Sequence, residues 1–148
     1  MIISAVQGVS QAQQQEEEGA VQQQIANYNA GVAEMQASDA QRRGIMEAGE
    51  RRTQTRQQIG RQRTAIAGSG VDVSSGSALD IFADTAAYGE LDAQTIQSNA
   101  MREAYGYRTQ SSNQQFQGGL ARQAGQNRSQ STLLTTGART FNMYQGAT

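Results

Sequence analysis

With no histidine, cysteine or lysine, this chain has few side chains that could do chemistry. Asp80 and Asp84, four apart, and Glu47 and Glu50, three apart, are its nearest approach to paired carboxylates. Acid–base work needs such a pair in a pocket beside a perturbing group, and the sequence supplies neither. A solvated helix face explains both pairs, so the reading is a non-enzyme with no catalytic residue, no metal ligand set and no cofactor. Gly68-Ser69-Gly70 is glycine-rich like a phosphate loop, but it lacks the G-x-G-x-x-G spacing and the Walker lysine, and reads as a turn. The arginines carry more. Arg52, Arg56 and Arg63 share one helical face, with Arg42 close to it. A ring of such helices could offer guanidinium groups to a passing phosphate backbone, a salt-dependent and sequence-blind contact. The preferred alternative is a solvated face salt-bridged to Glu47, Glu50 or a partner.

The elements that must position these residues follow from composition. Hydrophobic residues make up 36% of the chain, aromatics 5%, and tryptophan and proline are absent. Soluble domains run at about 45–50% on a residue set that also counts glycine. A self-sufficient core is hard to build from so little, so the chain is expected to gain one by assembling with copies or partners. The net charge of -1 points neither to nucleic acid nor to acidic membranes. Met1 to Val6 lack the flank and length of a signal peptide, and no run approaches the ~20 apolar residues of a membrane span. The sequence thus reads as a chain made soluble and delivered elsewhere by other means.

Without proline, long helices are favoured, and glutamine, arginine, glutamate, alanine and methionine are good helix formers. One long Gln/Arg-rich helix is predicted over 1–67. Val21, Ile25, Tyr28, Val32 and Met35 fall at alternating four- and three-residue steps, the stripe of a coiled-coil seam that fades further on. A Gly/Ser turn is predicted over 68–77. Gly68, Gly70 and Gly76 shape it, Val71-Asp72-Val73 is extended by propensity, and Ser77 with Asp80 caps the next helix. A second amphipathic helix follows over 78–108. Phe82, Ala86, Gly89, Ala93 and Ile96 form its small-residue face, read as the assembly face because small side chains let backbones approach. Residues 109–148 are polar and glycine-dotted, predicted as broken helix ordered by partners, or as disordered. The fold class is all-α: a long helical hairpin assembling into a multi-helix ring or tube.

Three stretches are distinctive together. They are Gly68-Ser69-Gly70-Val71-Asp72-Val73-Ser74-Ser75-Gly76-Ser77, Asp84-Thr85-Ala86-Ala87-Tyr88-Gly89-Glu90-Leu91-Asp92-Ala93 and Asn99-Ala100-Met101-Arg102-Glu103-Ala104-Tyr105-Gly106-Tyr107. This middle third resembles the small internal virion proteins, or ejection proteins, of short-tailed bacteriophages. The resemblance implies a non-enzymatic virion component near the portal inside the capsid, which leaves with the genome and helps form a channel across the host envelope. It implies partners too: copies of itself, other internal virion proteins, portal and tail proteins, non-specific phage DNA, and the host outer membrane after ejection. The alternative is a structural neck or tail component that stays in the particle. The matching segment carries no catalytic residues.

Overall fold

The computed structural model describes residues 2–70, 72–74 and 76–145, with side chains at 9–70, 72–74, 76–138 and 141. The described residues form two helices packed as a hairpin, α1 (Ile2–Gly68) and α2 (Ser77–Gln145), and contain no strand. The chain divides into two packing units. Unit 1 is Met1–Glu34 with Arg108–Thr148, and unit 2 is Met35–Tyr107.

The connection lies in unit 2. The backbone N–H groups of Ser69 and Gly70 donate to the carbonyls of Ile66 (3.1 Å) and Ala67 (3.0 Å), tightening the last turn of α1. Gly70 (φ 79°) and Gly76 (φ 63°) are left-handed, a conformation that costs glycine little. Between them Asp72 Oδ1 accepts from the Ser74 N–H (2.9 Å) and hydroxyl (2.6 Å), a side-chain turn in place of the predicted extended run. Val71, part of that run, lies outside the described residues. Ser77 is the first residue of α2 and Asp80 lies in its first turn, where the helix dipole favours a carboxylate.

The seam between the helices is built of small residues in each unit. In unit 2, Ala37, Ala40, Gly44, Ala48 and Thr55 of α1 are buried, with Ala78, Phe82, Gly89, Ala93 and Ala104 of α2. In unit 1 the buried set is Ala12, Gly19, Ala26, Ala30 and Ala33 with Ser111, Gly118, Gly125 and Ser129. Many of these recur seven apart, the spacing that keeps one stripe facing a partner helix.

Two expectations are corrected. The bulky stripe is not the seam: Ile25 is 56% exposed, Tyr28 73% and Met35 61%, whereas Ala30, Ala33 and Ala37 are each at 1%. The helix turns its alanine face inward, where Ala37 and Ala40 pack with Ala104 and the half-buried Tyr107 of α2, and small side chains let the backbones pack closely. Nor is residue 109 onward a broken helix, since α2 continues unbroken to Gln145. Gly118 and Gly125 stand on the buried face of α2 and do not end it. A Cβ on Gly125 would come 2.7 Å from the Gln15 carbonyl oxygen and 3.2 Å from the Gly19 Cα. That close approach offsets the helix-weakening cost of glycine, about 1 kcal/mol. Residues 146–148 of the predicted tail lie outside the described residues.

Candidate interaction surface

Residues at nearly equal distances along the chain from Asp72 face each other across unit 2. This rule brings arginines of α1 to carboxylates of α2. Arg52 makes a two-pronged contact with Glu90, Nε to Oε2 at 2.7 Å and Nη2 to Oε1 at 2.8 Å. Arg51 donates to Asp92 through Nε (3.1 Å) and Nη2, and Arg43 Nη2 to Glu103 (2.9 Å). Hydrogen bonds from Arg52 are the main reason the Glu90 carboxyl falls from its ordinary 4.5 to about 2, with a smaller contribution from Gln94. The same bond raises Arg52. These pairs join the two helices of unit 2, and as exposed pairs they contribute little stability each.

The three arginines singled out by spacing have different surroundings. Arg52 is committed to Glu90. Arg56 donates to Thr53 Oγ1 (3.1 Å) on its own helix, and Arg63 sits over the Phe82 ring, 5.4 Å from the centroid. The salt-bridged reading therefore describes Arg52, with Glu90 as partner and not Glu47 or Glu50. Asp80, Asp84, Glu47 and Glu50 are exposed, and no group of three metal-binding side chains occurs among the described residues.

The face assigned to assembly is used inside the chain. Phe82, Gly89 and Ala93 are buried in the seam and Ile96 is half-buried, while Ala86 is exposed. A side chain at Gly89 would run into Thr55, including its Cβ. Thr55 is held in place, its hydroxyl donating to the Arg51 carbonyl (2.9 Å).

The outward surface carries the bulky apolar residues. Ile45, Met46, Leu79, Ile81, Tyr88, Leu91, Met101 and Tyr105 of unit 2 are all exposed, as are Val21, Ile25, Tyr28, Phe116, Leu120, Leu133 and Leu134 of unit 1. Grooves also open on unit 2. One, about 370 Å³, is lined by Gln41, Ile45, Gln97, Ala100 and Met101. Another, about 270 Å³, lies between Arg52, Arg56, Ile59, Ala86 and Glu90. Unit 1 has a more polar groove of about 230 Å³ walled by Gln22, Ile25, Gln114 and Gln117.

Sequence reasoning missed Glu90, Asp92, Glu103 and the α1 seam. Folding the sequence about Asp72 sets Gly44 opposite Ala100 and Thr55 opposite Gly89, and brings Arg51, Arg52 and Arg43 within two positions of Asp92, Glu90 and Glu103. No known protein family, curated protein or solved structure matches the chain.

Proposed function

We propose that this chain is a small internal virion protein of a short-tailed phage, a helical hairpin subunit released with the genome that helps form a channel across the host envelope. The observation that carries the assembly part of the reading is the inverted packing: alanine and glycine inside the hairpin, isoleucine, leucine, methionine, tyrosine and phenylalanine outside. Large apolar surface left in water is the mark of a subunit that buries it against something else. The phage assignment rests on the resemblance over 67–107. Copies of the chain, other internal proteins and the portal or tail are the partners it implies. Arg56 and Arg63 are the residues left to touch DNA backbone, since Arg52 is ion-paired.

No helix among the described residues is long and apolar enough to cross a membrane. A channel would therefore need several copies, polar faces to the lumen and apolar residues to the lipid. The same fact favours a second reading, a structural neck or tail element that stays in the particle. Protein content of virions before and after triggered genome release separates the two. Loss of the chain from emptied particles is the expected result, together with dye leakage from liposomes carrying the purified oligomer. Full retention would replace the ejection reading with the structural one.

A further inference from the structure

The connection does little to hold the hairpin closed. Eight residues separate α1 from α2, and none of those described is buried. Ser69 and Gly70 bond back to Ile66 and Ala67, and Ser74 bonds to Asp72, contacts that reach only a few residues along the chain. The reversal also places Gly70 and Gly76 at positive φ, a conformation that other residues adopt at a cost.

The grip lies in the seam, and its pairing has a symmetry. Gly44 and Ala100 lie equally far from Asp72 along the chain, and so do Thr55 and Gly89. Ala40 and Ala104, buried in one cluster, obey the same rule, as do Ala26 and Gly118 in unit 1. Two antiparallel copies related by a two-fold axis at Asp72 would pair these same residues, Gly44 of each with Ala100 of the other. The Arg51–Asp92 and Arg52–Glu90 ion pairs would form again in the same way. The α1 face that receives α2 is thus equally suited to the α2 of a second copy, and only the connection favours its own.

We infer that this seam is also an interaction surface between copies: α1 of one chain takes α2 of another, giving a domain-swapped dimer with the contacts of the hairpin. The occupant is the one the structure shows on α1, which is α2 itself. Exchange of an identical element needs no new surface. Proximity favours the single chain, because a short linker holds α2 at an effective concentration on the order of millimolar. The swapped form gains in proportion to chain concentration, and it wins outright when the connection cannot turn back. The inference rests on the hairpin packing and is independent of the virion reading.

The absence of cysteine makes the pairing readable on the full chain. Ala40→Cys with Ala104→Cys sets two thiols in one buried cluster, so a link between chains reports exchanged helices and not contact of outer faces. The variant is refolded from urea, oxidised, and sized under denaturing conditions. Between micromolar and several hundred micromolar chain, the fraction linked as dimers should rise at least tenfold. Gly70→Ala with Gly76→Ala keeps the length but penalises the turn, and should raise that fraction at least tenfold at equal concentration. Removal of residues 69–76 brings the half-buried Ile66 and the buried Ala78 four apart, a seam step, and leaves no chain for a reversal. That shortened chain should be helical, have twice the chain mass and be linked almost wholly between chains. Links solely within single chains at every concentration would overturn the inference, and so would a shortened chain that keeps the single-chain mass or loses its helix. None of these outcomes bears on whether the protein leaves the virion, which particle composition decides.

Discussion

At Gly44 the two backbones come so close that a Cβ there would overlap the Ala100 methyl, with the Ala100 Cα at 3.7 Å. There is room for one methyl group at this level of the seam. Gly44→Ala should therefore destabilise the hairpin by about 1–3 kcal/mol, the usual cost of overpacking, despite the better helix propensity of alanine. Moving the methyl across the seam, with Gly44→Ala and Ala100→Gly together, should recover most of that loss. Urea denaturation of the two single variants and the double variant measures the coupling. Glu90 makes a second prediction at this scale. Its carboxyl is depressed to about 2 from 4.5, and a depressed carboxyl contributes stability that is whole above the unfolded value and lost as pH falls. The contribution of the Arg52 pair should be complete above pH 4.5 and gone near pH 2, and solvent screening keeps it small. Between those limits the urea midpoint should fall more steeply for the wild type than for Glu90→Gln.

At the scale of the element, the adjacent glycines of α2 separate seam from surface. A Cβ on Gly118 would lie 2.7 Å from the Ala26 Cβ and 3.3 Å from the Gln23 Cα, whereas one on Gly119 would meet nothing within 4 Å. Gly119→Ala should stabilise the protein by about 0.5–1 kcal/mol, and Gly118→Ala should destabilise it. Thermal melts of the two variants should move in opposite directions. Much of the architecture was legible from the sequence: two long helices folded back as a hairpin. The face of α2 at Phe82, Gly89 and Ala93 was legible as a close-packing face, but it was assigned to assembly between copies and is buried within the chain. The continuation of α2 past Tyr107 was not legible, because glycine signals both helix ends and close helix packing, and only the opposite helix distinguishes them. The seam of α1 was also hidden. Hydrophobic periodicity follows the largest apolar side chains, Ile25, Tyr28 and Met35, while the true stripe runs through Ala26, Ala30 and Ala33. The ion pairs were within reach but needed the fold-back point to be set at Asp72.

At the scale of the whole molecule, a hairpin held by alanine and glycine has few large buried side chains among the described residues: Phe82 is buried, and Tyr107 packs half-buried against Ala37, Ala40 and Ala104. Methyl groups bury little area each, at about 25 cal/mol per Å². If association covers the outer residues, it adds stability by mass action. The melting temperature should then rise with protein concentration, and a tenfold dilution should lower it measurably. The small-residue seam has a last consequence, for how such a chain can diverge. In most folds the bulky aliphatic positions are held and the alanines drift. Here a single added carbon at Gly44, Gly89 or Gly125 separates the helices, while exchange among isoleucine, leucine and methionine on the outside leaves the hairpin intact. Descendants of this sequence should keep a ladder of glycine, alanine and serine every seventh residue long after the rest has become unrecognisable.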